Sequence, residues 1–318
     1  MKILVTRKKG QLAVSLVEAA GLVPGVELIT VGRPELDLTD AASVTEVILA
    51  HQPDIVVAAA AYTAVDRAEF QQDLAYEINV TGAALVAEAA AMLGIPVVYL
   101  STDYVFSGNS ETPYREDDEP GPKTFYGYTK LRGEHAVAGA NPLHIIMRTS
   151  WVYSPFGHNF VRTMLGLANQ RETIDIVADQ WGNPTAASAL AAAVMMVATH
   201  PARMTMPGVY HVAGTGETNW ANFAREIFKI SKAHGGPSAE VHDITTAEYK
   251  TPAPRPLHSA LNCDKFEQVF DWRAPRWQES LETVVRRIVA EEYAPGKGEP
   301  PRCGSSRSCR RVFHRHWR

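Results

Sequence analysis

The fold is decided by residues 53–101, which read PDIVVAAAAYTAVDRAEFQQDLAYEINVTGAALVAEAAAMLGIPVVYLS. The apolar run at residues 53–61 has no polar alternation, which predicts a strand whose two faces are both covered. A helical pattern from about residue 74 to residue 93 stops at a Gly-Ile-Pro sequence, and a second buried strand follows at residues 97–101. A strand, a helix and a strand in this order predict a parallel crossover unit.

The same alternation extends over the first 150 residues. A strand at residues 3–6 runs into Gly10 and an apolar helix, and a further strand and helix are predicted at residues 27–31 and 42–51. Strands and helices that alternate in this way, joined by right-handed crossovers, build a doubly wound sheet. The sequence therefore predicts an α/β fold with a Rossmann-like doubly wound parallel sheet.

Beyond residue 149 the pattern is less regular. Four helical stretches are separated by loops rich in Pro and Gly, near residues 160–170, 186–200, 220–233 and 277–292. They predict a smaller C-terminal domain built on the sheet. The Arg-, Ser- and Cys-rich end of the chain has no apolar period and is expected to be disordered.

The composition excludes several classes of protein. Of 318 residues, 46% are hydrophobic and 21% are charged, which is ordinary for a globular chain. Seven Lys or Arg and one Glu fall in residues 295–318, so residues 1–294 have a net charge of −10, against −4 for the whole chain. An acidic body disfavours a nucleic-acid partner.

Cysteine content and hydropathy indicate the compartment. The chain has three cysteines, two of them in its last 16 residues, so no disulfide framework is expected. The first apolar run is too short for a signal peptide, and the longest one, residues 186–198, is too short to cross a membrane. We therefore expect a cytoplasmic protein with no membrane contact. Zinc binding by Cys303, Cys309, His314 and His316 is not expected, because their spacing is wrong.

The turn after the first strand is where a parallel α/β sheet binds a dinucleotide, because backbone N–H groups at a helix N-terminus meet the pyrophosphate there. A G-x-x-G-x-x-G spacing would need glycines at positions 7, 10 and 13, and the chain has Arg7, Gly10 and Ala13. Arg7 stands where the tight turn is expected and would be strained at a positive φ. On this motif alone an ordinary β-turn-α unit is the favoured interpretation.

Tyr126 and Lys130 lie four residues apart, which places them on one face of a predicted helix. There the ammonium can favour the phenolate and bring the phenol proton into catalytic range. Tyr293 and Lys297 have the same spacing, but Pro295 and a glycine interrupt that helix.

Thr102 lies at the C-terminal end of a buried strand, where its hydroxyl can donate to a carbonyl oxygen. The alternative interpretation is that Ser101, Thr102 and Asp103 merely cap the next turn.

A set of strings in order along residues 1–290 resembles the dTDP-4-dehydrorhamnose reductase family of the extended short-chain dehydrogenase/reductase group. They are GQL at residues 10–12, AAAYTAVDRAE at 59–69, STDYVF at 101–106, Y-x-x-x-K at 126–130, RTSWVY at 148–153, DQWGNPT at 179–185 and RP at 255–256. The resemblance implies NAD(P)H-dependent reduction of the 4-keto group of dTDP-4-dehydro-6-deoxy-L-mannose to dTDP-L-rhamnose.

The resemblance also implies roles for single residues. Tyr126 would protonate the nascent C4 oxygen, Thr102 would hydrogen-bond it, and Lys130 would hold the nicotinamide ribose. Asp103 and Trp151 match positions that contact the sugar nucleotide, although Trp151 is open to an interpretation as a core aromatic. The cofactor cradle matches at Gly10, Gln11, Leu12, Asp37, Leu38, Ala61, Tyr62 and Thr63, with Tyr126 and Lys130.

Arg33 stands near the end of the second strand, where an acid would hold the ribose 2′-hydroxyl. We therefore hypothesise that NADPH is at least as good a cofactor as NADH, with Arg33 near the 2′-phosphate; a solvated loop arginine is the alternative. Ser15 and Ser188 stand where some relatives use acidic side chains to bind Mg²⁺ at a dimer contact, so we expect no metal and a monomer or weak homodimer.

With these roles, we expect an NAD(P)-binding Rossmann-like domain at residues 1–147. A mainly substrate-binding domain, with some segments returning to the sheet, is expected at 148–292, and a disordered basic tail at 293–318.

Two other functions remain open at this stage. One is a nucleotide-sugar epimerase or dehydratase of the same group. The other is a non-catalytic, cofactor-binding regulatory subunit resembling the methionine adenosyltransferase β subunit, against which the intact Thr102, Tyr126 and Lys130 argue.

Overall fold

A six-stranded parallel sheet forms the centre of the first lobe in the computed structural model, which describes residues 1–293. The strands of the described residues are β1 (Lys2–Val5), β2 (Glu27–Thr30), β3 (Ile55–Ala58), β4 (Val97–Thr102), β5 (His144–Thr149), β6 (Val152–Tyr153), β7 (Thr173–Val177), β8 (Trp181–Gly182), β9 (Thr185–Ala186), β10 (Gly208–His211), β11 (Thr218–Asn219) and β12 (Glu240–Ile244). The sheet has the order β10-β5-β4-β3-β1-β2.

Helices connect these strands. Their bounds are α1 (Gln11–Ala20), α2 (Ala41–His51), α3 (Val65–Ala68), α4 (Gln72–Tyr76), α5 (Gly82–Met92), α6 (Phe125–Ala140), α7 (Phe160–Ala168), α8 (Ala187–Thr199), α9 (Trp220–Ala233), α10 (Asp264–Phe270) and α11 (Trp277–Ile288). Within residues 1–293 no helix is both long enough and apolar enough to cross a bilayer.

The order of the strands reverses at β1, which pairs with β2 on one side and with β3 on the other. Helices α1 and α8 cover one face of the sheet, where Leu16 and Val194 are fully buried. Helices α2, α5 and α6 cover the other face, with Val44, Val86 and Val137 in its core. Because both faces are covered, the strands carry continuous apolar runs, as the sequence predicted. The doubly wound parallel sheet is confirmed.

A second core lies among α7, α9, α11 and the parallel pair β7 and β12. Tyr153, Phe223 and Trp277 form its aromatic centre, and the Tyr153 hydroxyl donates to the Trp277 carbonyl at 3.1 Å. Strand β10 and helix α8 return to the first lobe. The division expected at residue 147 falls two residues before the end of β5.

Some predicted bounds were wrong. The third strand stops at Ala58 instead of residue 61, because residues 59–64 leave the edge of the sheet and form a loop. The helix expected from residue 74 to 93 contains a π-helical turn, Glu77–Thr81. The last helix ends at Ile288 and continues as a π-helical turn, Val289–Tyr293. The expected disordered tail, apart from Tyr293, lies outside the described residues, as do Lys297 and the excluded zinc set.

Candidate active site

The candidate active site lies at the C-terminal edge of the parallel sheet. Thr102 is the last residue of β4 and pairs with Thr149 at the end of β5. The loop that carries Ala61, Tyr62 and Thr63 follows β3, the neighbouring strand. Carboxyl ends of parallel strands meet at one edge, and ligands bind in the crevice outside it. The predicted residues from distant parts of the chain are therefore brought to one edge.

Tyr126 lies in the first turn of α6, after Thr124, whose Oγ1 caps the helix by accepting from the Gly127 N–H at 3.0 Å. A Cβ at position 127 would collide with the Tyr104 carbonyl, so this glycine lets α6 approach the turn after β4. The Thr102 hydroxyl lies beside the Tyr126 phenol and favours its ionisation, but burial has the larger effect and raises the pKa of that phenol. A buried, protonated phenol is therefore held beside the end of β4.

Lys130 lies one turn further along α6 and is 2% exposed. Its Nζ donates to the Tyr99 hydroxyl and to the Leu100 carbonyl, both at 2.7 Å. Burial lowers the pKa of Lys130 to about 7, and the nearby Glu134 carboxylate opposes this shift. The ammonium is thus fixed in place by two acceptors and titrates near neutral pH.

Asn79 was not predicted, and it links three parts of the site. Its side-chain amide donates to the Tyr62 carbonyl at 3.1 Å and to Thr129 Oγ1 at 3.0 Å, and its Oδ1 accepts from the Tyr62 N–H at 2.8 Å. Its backbone carbonyl accepts from the Tyr99 hydroxyl at 3.1 Å. Asn79 lies in the π-helical turn before α5, a local geometry that hydrophobic periodicity does not reveal.

Glu134 and Arg148 form a buried ion pair behind the site, with side-chain exposures of 3% and 4%. Arg148 donates Nε to Glu134 Oε1 at 2.9 Å and Nη2 to Oε2 at 2.7 Å. The Ser101 hydroxyl also donates to Oε1. The pair therefore connects α6 to the ends of β4 and β5. Glu134 follows Lys130 by one helical turn, which was the only signal for it in the sequence.

The predicted cofactor cradle begins at the N-terminus of α1. Gly10 has φ 145° and precedes a helix that has no side-chain cap. Gln11 Nε2 donates to the Val152 carbonyl at 3.3 Å, and Gln11 Oε1 accepts from Ser154 Oγ at 3.0 Å. The side chain of Leu12 is partly buried and packs on the core of the sheet, and its backbone belongs to the first turn of α1. Uncapped N–H groups at this turn fit a pyrophosphate.

The expectation that Arg7 is strained at a positive φ was wrong. Among the described residues, the non-glycine residues at positive φ are Gln52, Trp151 and Asp271. The left-handed position of the turn is taken by Gly10, so Arg7 itself needs no glycine. The Arg7 side chain folds across Gly10 instead, and its Nε donates to the Lys9 carbonyl at 2.8 Å. The Arg7 side chain therefore restricts access to the backbone of the turn at Gly10.

The residues after β2 form the far end of the cradle. Arg33 and Asp37 are joined by two contacts, Nε to Oδ2 at 2.8 Å and Nη2 to Oδ1 at 3.0 Å. The Arg33 hydrogen bond holds the pKa of the Asp37 carboxyl below its usual value. Leu38 is 7% exposed and packs in the core beside Gly82. The Arg33 side chain is exposed at this end of the cradle, whereas the Leu38 side chain is part of the hydrophobic core.

Trp151 packs against Trp220, one of the residues that line a cleft. Its ring stacks on Trp220 at a centroid distance of 3.5 Å and lies against Gly182, where a Cβ would collide with the indole. Trp151 is partly exposed. The residues that line the cleft include Tyr104, Phe160, Gln180, Trp220, Tyr249 and Arg255, and Trp151 supports it through Trp220. Arg255 Nη2 donates to Asp66 Oδ2 at 2.7 Å, which ties the cleft to α3.

The family model and the similar known proteins indicate the same family. Residues 1–290 match the model of the family described as "RmlD substrate binding domain". A dTDP-4-dehydrorhamnose reductase of Sinorhizobium fredii is 47% identical over 294 residues, which cover 92% of this chain and 99% of that protein.

Two solved structures are also similar. One is a dTDP-4-dehydrorhamnose reductase of Clostridium acetobutylicum, with a TM-score of 0.84 and 36% identity, covering 91% of this chain and 99% of that one. The other is the reductase of Bacillus anthracis in complex with NADP, with a TM-score of 0.83 and 36% identity, covering 89% of this chain and 98% of that one. The similarity therefore spans both lobes.

Proposed function

The chain belongs to the dTDP-4-dehydrorhamnose reductase family, and from this premise we propose that Thr102, Tyr126 and Lys130 perform its chemistry. The reaction is the NAD(P)H-dependent reduction of the 4-keto group of dTDP-4-dehydro-6-deoxy-L-mannose to dTDP-L-rhamnose. The observation that supports the assignment is the buried hydroxyl and phenol pair of Thr102 and Tyr126, with the Lys130 ammonium one turn away on α6. An epimerase or dehydratase of the same group would share both the fold and the Tyr126 and Lys130 chemistry, whereas a regulatory subunit would need only the fold.

The three side chains have different tasks in the mechanism. NAD(P)H, when bound, supplies the hydride for C4 of the sugar. Tyr126 gives its phenol proton to the C4 oxygen as negative charge develops there. Thr102 donates a hydrogen bond to the same oxygen. Lys130 holds the nicotinamide ribose and, as a cation, stabilises the phenolate that Tyr126 becomes.

The residues present fit a dinucleotide. The uncapped N-terminus of α1 offers backbone N–H groups to the pyrophosphate, and Gly10 lets the backbone come close. We propose that Gln11, Leu12, Ala61 and Thr63 contact the cofactor through the loops after β1 and β3. Tyr62 is placed by Asn79, and its hydroxyl donates to Gln71 Oε1 at 2.6 Å.

The cleft between the lobes fits a sugar nucleotide. Trp220 provides an aromatic wall that Trp151 supports by stacking on it, and Arg255 adds a cation near the two tyrosines of the cleft. We propose that Trp151 packs on the substrate and that Asp103 lies next to the reacting sugar. We propose that residues 1–147 form the cofactor domain and that residues 148–292 form mainly a substrate domain, with some segments returning to the sheet.

We further propose that the enzyme works in the cytoplasm as a monomer or weak homodimer. Ser15 is 3% exposed under α8 and Ser188 carries no charge, so neither offers a hard-cation ligand at a dimer contact. Among residues 1–293 no group of three His, Cys, Asp or Glu side chains is arranged to hold a metal ion.

The function is tested by mixing the protein with NADPH and dTDP-4-dehydro-6-deoxy-L-mannose and following the absorbance of the reduced nicotinamide. Consumption of one NADPH for each dTDP-L-rhamnose formed supports the reductase. Product formation without net oxidation of NADPH indicates an epimerase. Tight binding of NADPH with no turnover of this sugar indicates a regulatory subunit.

Arg33→Ala is expected to weaken NADPH binding by about fivefold and to leave NADH binding unchanged. A charged hydrogen bond to a phosphate contributes about 1 kcal/mol at an exposed position, and only NADPH has the 2′-phosphate. The measurement is the ratio of KM values for the two cofactors. Lys232→Ala, which removes an exposed cation from α9, is the control. An unchanged ratio in Arg33→Ala would show that Arg33 is only a loop residue paired with Asp37.

Arg7→Gly is expected to tighten NADPH binding by about fivefold. Because Arg7 is not strained, the substitution relieves no backbone strain. The gain in NADPH binding free energy, about 1 kcal/mol, comes from uncovering Gly10 and from removing the Arg7 hydrogen bond to the Lys9 carbonyl. Titration of NADPH by fluorescence measures this. Lys9→Ala removes a charge from the same turn without uncovering Gly10 and separates charge from access. Weaker binding by Arg7→Gly would identify Arg7 as a phosphate ligand.

A further inference from the structure

Asp103 follows Thr102 at the end of β4 and has a hydroxyl partner on each carboxyl oxygen. Thr102 Oγ1 lies 3.0 Å from Oδ1, and Ser259 Oγ lies 2.6 Å from Oδ2. All three side chains are buried, with exposures of 6% for Thr102, 2% for Asp103 and 1% for Ser259. Ser259 comes from the segment that also carries Arg255, and the mechanism above does not use it.

The Thr102 hydroxyl has one hydrogen to donate and two lone pairs that accept. The Tyr104 backbone N–H donates to Thr102 Oγ1 at 3.2 Å, which uses one lone pair. The remaining lone pair and the hydrogen serve the Tyr126 side of the site and Asp103. The hydrogen therefore points either to Asp103 or toward the reacting oxygen, and it cannot do both.

The protonation state of Asp103 decides between these directions. An ionised carboxylate only accepts, so it takes the Thr102 hydrogen away from the substrate. A carboxyl that is protonated on Oδ1 donates to Thr102, whose own hydrogen then turns toward the cleft. Ser259 donates to Oδ2 and keeps that oxygen an acceptor, which leaves Oδ1 as the oxygen that carries the proton.

We propose that Ser259 is a positioning residue for the ketone reduction. By donating to Oδ2 of Asp103 it directs the carboxyl proton to Oδ1, and the Thr102 hydroxyl hydrogen then faces the C4 oxygen. The inference rests on the proposed function, in which Thr102 donates to that oxygen. The Asp103 proton stays on Asp103 during turnover, so the stoichiometry of the reduction is unchanged.

The surroundings of Asp103 allow protonation near neutral pH. Burial raises its pKa to about 6, against the hydrogen bonds from Ser259, Thr102 and two backbone N–H groups. The titratable side chains that face it are Tyr104 and Tyr126, whose pKa values burial also raises, so both stay neutral. Beyond Tyr104 lies the ion pair of Asp66 and Arg255, whose charges offset each other. The protonated form is present below pH 6 and is lost as the pH rises.

Ser259→Ala tests the proposal against a matched control, Ser231→Ala. Ser231 in α9 is also buried, and its Oγ donates to the Pro237 carbonyl at 2.6 Å, but it lies in the core of the second lobe. At about pH 5, where Asp103 is protonated in both enzymes, loss of the hydrogen bond that directs the proton to Oδ1 predicts that Ser259→Ala lowers kcat by about fivefold with KM within about twofold. Ser231→Ala should leave both constants unchanged. Equal kcat values for the two variants, or a loss confined to KM, would overturn the proposal.

Two further measurements do not depend on that single variant. Carbon NMR titration of labelled Asp103, without turnover, should give a higher pKa in Ser259→Ala, because a donor to the carboxylate is lost. Asp103→Asn, with its amide oxygen facing Ser259, presents an N–H to Thr102 at every pH. Its ratio of kcat at pH 8 to kcat at pH 6 should therefore exceed that of the wild type.

An unchanged Asp103 pKa, or an unchanged kcat ratio, would contradict the proposal. Failure of the wild type to reduce the dTDP-4-keto sugar would contradict the proposed function instead, and the titration of Asp103 would still report on Ser259.

Discussion

Tyr126→Phe is expected to lower kcat by about 100-fold or more while NADPH binding stays nearly unchanged. The substitution removes one oxygen and keeps the ring that packs edge-on against Tyr104 at 5.7 Å. General acid catalysis contributes about 10²- to 10⁴-fold, and the phenylalanine variant has no proton to give to the C4 oxygen. Steady-state kinetics and a fluorescence titration of NADPH measure the two quantities on one preparation.

Tyr128→Phe is the matched control for this experiment. Tyr128 lies two residues further along α6, is 42% exposed and packs against Phe125 instead of the strand ends. Loss of the Tyr128 hydroxyl should change kcat by less than about twofold. A Tyr126→Phe enzyme that kept most of the wild-type turnover would show that another group protonates the C4 oxygen, and the assignment of Tyr126 would be wrong.

The sequence predicted the sheet well because its strands are buried on both faces. Runs such as residues 55–58 and 97–101, bounded by turn signals and helical patterns, fit the middle of a covered parallel sheet. Once the strands are known, Thr102 must lie at their C-terminal edge. The spacing of Tyr126 and Lys130 then places both on one face of α6. These inferences need only local pattern and topology.

The parts of the site that the sequence did not reveal depend on contacts between distant segments. Ser259 lies 156 residues after Asp103, and nothing in its neighbourhood marks it as different from other serines. Asn79 acts through a π-helical turn, which shares the apolar pattern of an α-helix. At Arg7 the sequence predicted a feature that is absent. The motif spacing suggested a strained Arg7, but the residue with a positive φ in this turn is Gly10. Tertiary packing decides such cases.

Glu134→Gln is expected to lower the free energy of unfolding by about 3 kcal/mol, the largest stability change we predict. The variant keeps the size of the side chain but leaves the Arg148 guanidinium buried without a counter-charge, 4% exposed. Breaking a buried ion pair costs about 3 to 5 kcal/mol because the remaining charge has lost both water and partner. Urea unfolding followed by circular dichroism measures the change, with equal m-values as the check on two-state behaviour.

Glu18→Gln provides the same substitution at a surface pair. Arg287 Nη1 donates to both Glu18 oxygens, at 2.9 and 3.2 Å, but these side chains are 39% and 46% exposed. Water replaces the lost contact there, so the change should stay below about 1 kcal/mol. The double variant Glu134→Gln/Arg148→Met removes the orphaned charge and should recover much of the loss. If Glu134→Gln were no more harmful than Glu18→Gln, the pair would not connect α6 to β4 and β5 in the way its geometry implies.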